Sequence, residues 1–212
     1  MGISTHPGAL RYTLIFLFTG FAVVTGITSC AQNEKSEETE NETTSITSDL
    51  EGTWITSCVA KNKNYEVVVT GTTVTQKTRS YQSNSDCADN KKAFEEISTY
   101  SGYTVSDYEL TFSPSGWKGR DYKIVVEKIT GTPLTSSFAS GLNSVSACGL
   151  NNWSVNIASE ITGKTCVDST YPVRNTTMYN TYAKDGGNAY IGTPSYSTYP
   201  KSVNNDVLFV KQ

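Results

Sequence analysis

The sequence contains one histidine, His6, which lies in an N-terminal segment that we expect the mature chain to lack. A chain without imidazole cannot run a Ser-His-Asp or Cys-His mechanism, and it offers no histidine ligand to zinc. Glu95 and Glu96 are adjacent in a predicted strand, so they point to opposite faces and cannot flank one glycosidic bond. We therefore predict that the protein is not an enzyme and has neither a cofactor nor a metal site.

Clusters of positive charge are also scarce. No basic cluster exceeds Lys91-Lys92, the formal net charge is −3, and the isoelectric point is about 5.2. Proteins that bind nucleic acids neutralise phosphates with grouped lysines and arginines. The sequence therefore predicts no nucleic-acid partner.

Long apolar runs are limited to one, near the N-terminus. Residues 12–27 are almost wholly apolar or small, and Arg11 is the one charged residue before Glu34. This run of about 16 residues is shorter than the ~20 that a membrane-spanning helix needs. A positive residue, a short apolar run and small residues after it are typical of an export signal, which we predict for residues 1–29.

The apolar run ends in Ile27-Thr28-Ser29-Cys30. This tetrapeptide resembles the lipobox of bacterial lipoproteins, in which diacylglycerol alkylates the cysteine thiol and the new amino terminus receives a further fatty acid such as palmitate. The resemblance implies cleavage before Cys30 and attachment to a lipid bilayer through that residue. Ala31 follows, rather than the aspartate that retains such proteins in the inner membrane, which favours the outer membrane, on its periplasmic face or at the cell surface. An ordinary secretory signal and an uncleaved anchor are the alternatives.

The segment after Cys30 is strongly acidic. Residues 31–49 hold six acidic residues, one lysine and a single aliphatic residue, Ile46, for a net charge of −5. Such a segment buries too little apolar surface to order itself, and its charges repel one another. We predict that residues 30–49 are a flexible tether, with a partner-binding acidic tail as the alternative. The 14 acids and 15 bases that remain leave the predicted domain, residues 50–212, close to neutral.

Residues 50–212 have the composition of a β-protein. Thr, Val, Tyr and Ile are abundant, and turn residues recur at short intervals. Gly71 and Gly102 lie inside strand patterns and predict bulges. One stretch, 87–97, is weakly helix-like, and the serine-rich residues 133–147 are expected to be a loop. The candidate strands are 53–60, 64–70, 72–81, 94–105, 107–113, 121–130, 153–159, 177–183, 188–192 and 206–211.

About ten short strands in succession favour an all-β fold that closes into an antiparallel up-and-down barrel of about 8–10 strands. The pattern Leu50-x-Gly52-x-Trp54, directly after the tether, resembles the Gly-x-Trp opening of lipocalin-like barrels. The resemblance implies that Trp54 closes one end and that the opposite mouth takes a small apolar molecule. A β-sandwich is the alternative fold.

Four cysteines remain after Cys30, and an even number in an exported chain predicts two disulfides. Of the three possible pairings we favour Cys58–Cys87 and Cys148–Cys166, which join neighbours in the sequence. A four-thiolate metal site is the rival interpretation, and no Cys-x-x-Cys spacing supports it.

Tyrosine is in excess, with 13 residues. Tyr196 and Tyr199 lie in a loop between Pro194 and Pro200, where rigid aromatic faces could contact a sugar, a peptide or a protein. We expect a membrane-anchored binding protein rather than an enzyme, with a small hydrophobic ligand in the barrel. The alternative is a surface or periplasmic interaction module with a filled barrel, which binds a protein partner through loops 133–147 and 194–200.

Overall fold

The computed structural model describes residues 48–113, 115–167 and 169–212. The predicted signal peptide, Cys30 and all but the last two residues of the predicted tether lie outside the described residues. Within these ranges no helix is both long and apolar enough to cross a membrane. The elements are β1 (Gly52–Thr56), β2 (Lys63–Thr70), β3 (Thr73–Tyr81), β4 (Lys92–Val105), β5 (Leu110–Thr111), β6 (Lys118–Pro133), α1 (Ser136–Ser144), β7 (Ser159–Glu160), β8 (Thr165–Cys166), β9 (Ser169–Thr170), β10 (Thr177–Asp185), β11 (Asn188–Ile191) and β12 (Leu208–Lys211).

Eight of these strands close into an antiparallel barrel. Neighbours follow the order β1-β2-β3-β4-β6-β10-β11-β12, and β12 pairs with β1 to complete the ring. The short β5 extends the pairing along the first residues of β6, and the small β7 pairs with its end. The predicted all-β, antiparallel up-and-down barrel is confirmed, and its closure excludes the β-sandwich.

Alternate residues of each strand point into the barrel, which explains the period-two pattern of the sequence. In β2, Val67 and Val69 are buried, whereas Val68 between them is half-buried on the outer face. The register carries this alternation across the sheet, since Trp54 of β1 lies opposite Val67, and Gln76 of β3 lies on its other side.

Aromatic side chains fill one end of the barrel, which we call the closed end. Trp54 is 2% exposed and donates its indole N–H to the carbonyl oxygen of Leu50 at 2.7 Å. Tyr103 and Tyr182 are buried beside it. Trp54 is therefore a buried, hydrogen-bonded residue of this end of the barrel.

The closed end also holds the last residues of the predicted tether. The Tyr103 hydroxyl hydrogen-bonds to Ser48, and the Tyr182 hydroxyl donates to the Asp49 carboxylate. Asp49 also pairs with Lys184 at 3.4 Å. The folded unit thus takes in Ser48 and Asp49, because buried phenols supply hydrogen bonds that composition alone does not reveal.

The opposite end, where β1, β3 and β11 terminate, is the open end. The predicted disulfide Cys58–Cys87 is confirmed there, and it joins the β1–β2 connection to the β3–β4 connection. The second predicted disulfide, Cys148–Cys166, is also confirmed and lies in residues 134–176, which we call the insert because they leave the barrel between β6 and β10.

Two predictions about the insert were wrong. Residues 133–147 are not a plain loop, because α1 forms there with Thr135 as its N-cap, which accepts from the Phe138 N–H at 3.3 Å. Residues 153–158 form no strand, and only Ser159 of the predicted strand 153–159 belongs to β7. The Trp153 backbone instead pairs through both its N–H and its carbonyl oxygen with the Asn143 side chain, at 2.7 and 2.9 Å. This side-chain bridge takes the hydrogen bonds that a neighbouring strand would otherwise supply.

Two local predictions in the barrel were also corrected. The helix-like stretch 87–97 holds only a short 3₁₀ turn at Asp89–Lys91, since β4 begins at Lys92 and pairs with β3. Gly71 (φ +54°) forms the tight turn between β2 and β3 rather than a bulge, whereas Gly102 (φ +59°) lies at the predicted irregularity of β4.

Candidate functional site

A cavity of about 250 Å³ lies inside the barrel, on the open-end side of its middle. We call it the barrel cavity. Seven of the eight barrel strands contribute to its wall, namely β2, β3, β4, β6, β10, β11 and β12. Its lining residues are Tyr65, Val67, Val74, Gln76, Tyr100, Tyr122, Ile124, Met178, Asn180, Ile191, Gly192, Thr193, Pro194, Asn204, Val207 and Phe209.

The cavity floor is aromatic. Tyr100 and Tyr122 are both at least 90% buried, and Tyr122 packs edge-on against Tyr103 with ring centroids 5.6 Å apart. Tyr182 lies next to Tyr122, at 6.2 Å. Trp54, predicted as a ligand contact, does not line this cavity, and its buried indole hydrogen-bonds to the Leu50 carbonyl instead.

One wall of the cavity comes from the connection between β11 and β12, residues 192–207. Gly192 brings this connection onto β10: a Cβ there would meet the Asn180 side-chain oxygen at 2.8 Å and the Ser202 carbonyl oxygen at 2.9 Å. The Gly192 N–H donates to the Thr181 carbonyl at 2.8 Å. Only glycine permits this close approach, and it places Thr193 and Pro194 at the cavity wall.

Of the described residues that line the cavity, none carries a charge. The polar groups are phenols, hydroxyls and the amides of Gln76, Asn180 and Asn204. Burial raises the pKa of Tyr122, so its phenol stays neutral. Burial raises the pKa of Tyr65 and of Tyr100, and the negative charge of Glu96 adds to both increases. At neutral pH the cavity is therefore an uncharged, mostly apolar space with a few hydrogen-bonding groups.

Glu96 occupies an inward position of β4 nearer the open end. Its carboxylate accepts from the Tyr171 hydroxyl of the insert at 2.7 Å and from Ser98 at 3.5 Å. Burial, together with this carboxylate, raises the pKa of Tyr171. The adjacent Glu95 instead faces outward, where Arg79 contacts it at 3.3 Å, so the two carboxylates are separated as predicted. Glu96 thus fastens the insert to the barrel.

A second, larger concavity of about 670 Å³ lies on the outside of the barrel. We call it the outer groove. It runs between the β5–β6 hairpin and residues 199–205 of the β11–β12 connection. Its lining residues are Leu110, Thr111, Phe112, Ser113, Ser115, Trp117, Asp121, Tyr199, Pro200, Lys201, Ser202, Val203 and Asn205.

The two predicted loop tyrosines have different surroundings. Tyr199 lines the outer groove and packs edge-on against Tyr179, with ring centroids 5.1 Å apart. Tyr196 is 59% exposed and lines neither concavity. Of the predicted loops, 194–200 contributes Pro194 to the barrel cavity, and 133–147 covers a smaller void of about 170 Å³ beneath α1.

Sequence reasoning did not find Gln76, Asn180 and Asp121. Gln76 and Asn180 are polar residues at inward positions of strands. Their position can be recognised only when the register of the strands is known.

Within the described ranges no group of three or more His, Cys, Asp or Glu could hold a metal ion. No known family model matches the chain, and no curated protein shows significant similarity to it.

Proposed function

We propose that this protein is a non-enzymatic binding protein whose barrel cavity takes a small, uncharged, mainly apolar ligand. The observation that carries the proposal is the void itself. A barrel of eight strands can be filled completely by its side chains or can hold one small ligand. Here aromatic rings fill the closed end, whereas a cavity of about 250 Å³ lies above them.

The lining supports an uncharged ligand. Val67, Ile124 and Met178 offer apolar contact, and the Gln76 and Asn180 amides offer a few directional hydrogen bonds. A charged ligand group placed here would lose its hydration without meeting an opposite charge on the wall, which is costly. The volume lies just below the 300–1,000 Å³ typical of sites for drug-sized molecules, so the ligand is small.

The proposal includes a location. Acylation of Cys30 would hold the domain on a bacterial outer membrane, with the acidic residues 31–47 between lipid and barrel. Support comes from the lipobox-like residues before Cys30 and from the two disulfides, because disulfides persist in compartments outside the cytosol.

The test uses two dyes with the same ring skeleton. N-phenyl-1-naphthylamine is uncharged, and 1-anilinonaphthalene-8-sulfonate adds one negative charge. We expect saturable fluorescence enhancement with the first dye and binding at least about 10-fold weaker with the second, because the sulfonate would be buried unpaired.

A matched pair of variants locates the site. Val67→Phe places extra volume in the cavity and should abolish binding of the uncharged dye. Val68→Phe adds the same atoms one residue away on the outer face and should leave binding unchanged. Equal binding by both variants, or tighter binding of the sulfonate, would contradict the proposal. Failure of every apolar probe would instead favour the alternative, an interaction module that uses loops 133–147 and 194–200.

A further inference from the structure

The outer groove contains a buried carboxylate with an unused hydrogen-bonding position. Asp121 lies on the outer face of β6, opposite Thr181 of β10, and is only 6% exposed. Its Oδ2 atom accepts from the Tyr108 hydroxyl at 2.6 Å. Its Oδ1 atom is buried and has no hydrogen-bond partner among the described residues. A buried acceptor of this kind is unfavourable unless a ligand or an ordered water donates to it.

Nearby cations do not satisfy this carboxylate within the described part of the chain. Arg120, the preceding residue, directs its guanidinium to the Ser106 carbonyl oxygen at 2.9 Å. Lys201 lines the groove, but no ion pair joins it to Asp121. The hydrogen bond to Asp121 raises the pKa of Tyr108 to about 12, so this phenol remains a donor to Oδ2 at neutral pH and leaves Oδ1 free.

Aromatic side chains form much of the remaining surface. Phe112, Trp117 and Tyr199 line the groove. The Trp117 indole stacks on the Tyr190 ring with centroids 4.1 Å apart and planes 5° apart, which fixes the indole at the groove wall. A ligand that fits therefore needs a face that packs on aromatic rings and a hydrogen-bond donor for Oδ1.

We propose that the outer groove binds a neutral saccharide, with a ring hydroxyl donating to Oδ1 of Asp121 and the C–H face of the sugar packed on the aromatic wall. A sugar ring supplies both features in one rigid unit. Ser202 and Asn205 offer further polar groups for its other hydroxyls.

Charge favours a neutral ligand over an amine or an anion. Asp121 and Lys201 bring opposite charges to the same groove, so an ammonium ion would meet Lys201 and an anion would meet Asp121. The volume of about 670 Å³ falls in the middle of the usual range for ligand sites and exceeds what one small ring requires. Affinity should therefore rise from a monosaccharide to a short oligosaccharide.

The experiment follows the three tryptophan indoles of the full chain by ¹H–¹⁵N NMR, in a detergent without a sugar headgroup. The probes are glucose, maltose, cellobiose and N,N′-diacetylchitobiose with their longer oligomers, each up to about 20 mM, which covers millimolar affinities. We expect the Trp117 indole to shift saturably with at least one series. The Trp54 and Trp153 indoles donate to backbone carbonyls in the interior and should not move.

Variants test the Asp121 hydrogen bond and the aromatic packing on Tyr199 separately. Asp121→Asn should weaken saccharide binding by about 10- to 100-fold, because a charge-assisted hydrogen bond is lost. Asp107→Asn, a neighbouring exposed acid outside the groove lining, is the matched control and should change nothing. Tyr199→Ala should weaken binding about 5-fold, and Tyr199→Phe should restore it because the ring remains.

Several results would overturn the proposal. The first is the absence of any Trp117 shift with all the saccharides, and the second is equal binding by Asp121→Asn and Asp107→Asn. Stronger binding of n-butylammonium than of every saccharide would assign the groove to an amine instead. None of these outcomes affects the barrel cavity, whose proposed ligand is tested with Val67→Phe.

Discussion

Removal of the Cys58–Cys87 disulfide should lower the free energy of unfolding of the barrel by about 3.6 kcal/mol. The bond joins residues 29 apart in the sequence, and the loop-closure entropy of the unfolded chain gives this magnitude. The Cys148–Cys166 bond spans 18 residues, for which the same relation gives about 3.2 kcal/mol. The perturbation is the double variant Cys58→Ser with Cys87→Ser, which leaves no free thiol of this pair.

The two disulfides differ in what they hold. Cys58–Cys87 joins two connections between barrel strands. Its removal should therefore lower the free energy of unfolding of the whole barrel by the full amount. Cys148–Cys166 lies within the insert, which can open locally while the barrel strands stay paired. The variant Cys148→Ser with Cys166→Ser should therefore destabilise the barrel by less than its loop length alone suggests.

Urea unfolding followed by far-ultraviolet circular dichroism measures both effects. With a slope of about 2 kcal/mol/M, the Cys58/Cys87 variant should shift the midpoint down by nearly 2 M. A midpoint shift below about 0.5 M for this variant would refute the conclusion that the Cys58–Cys87 bond stabilises the whole barrel. A larger shift for the Cys148/Cys166 variant would refute the view that the insert opens independently.

Two further predictions concern the strand pairing and the aromatic interior. Gly119→Ala should destabilise the protein by about 3 kcal/mol in urea unfolding, since a Cβ there would overlap the Tyr182 backbone carbonyl, whereas Gly187→Ala, which meets no neighbour, should change stability by less than about 1 kcal/mol. Burial raises the pKa of Tyr103, to about 12, and also raises the pKa of Tyr122 and Tyr182. Above about pH 10 the unfolded chain therefore releases protons that the folded chain keeps, and stability should fall by about 4 kcal/mol per pH unit. In an alkaline titration, absorbance at 295 nm should show that a group of phenols ionises only together with unfolding. Ionisation of all the tyrosines in the folded state near pH 10 would contradict the burial.

The barrel could be predicted because its strands are buried on one face. In β6, Tyr122 and Ile124 alternate with outward residues. This alternation can be read from the sequence of the strand alone, without knowledge of the strand that pairs with it. The prediction of a strand at 153–159 was wrong because this segment does not have one buried face. Trp153 is buried and Ile157 is 59% exposed, so its apolar residues anchor a loop rather than form one face.

Helix α1 could not be predicted because its signals are weak. Its serines favour caps and turns, and it buries one residue fully, Ala139, with Phe138 and Leu142 half-buried. Tertiary packing, including the Phe138 ring 5.3 Å from the Phe94 ring, stabilises this helix although its intrinsic helix propensity is low.

The two candidate sites depend on distances that the sequence does not contain. Tyr199 could be selected as a loop aromatic, but its neighbour across the groove, Asp121, lies almost eighty residues earlier. Whether the barrel interior is filled or hollow depends on how Tyr100, Tyr122 and Met178 pack together, and a pattern of apolar residues is compatible with both.

Met178 lines the barrel cavity and gives the most direct test of whether a small apolar ligand binds there. The sequence has two methionines, and Met1 belongs to the predicted signal peptide, so a ¹³C-methyl-methionine label should report Met178 alone in the mature chain. Titration with N-phenyl-1-naphthylamine should shift the Met178 methyl signal saturably, with the same dissociation constant that fluorescence gives. Saturable fluorescence with an unmoved Met178 signal would place the ligand elsewhere and contradict the account.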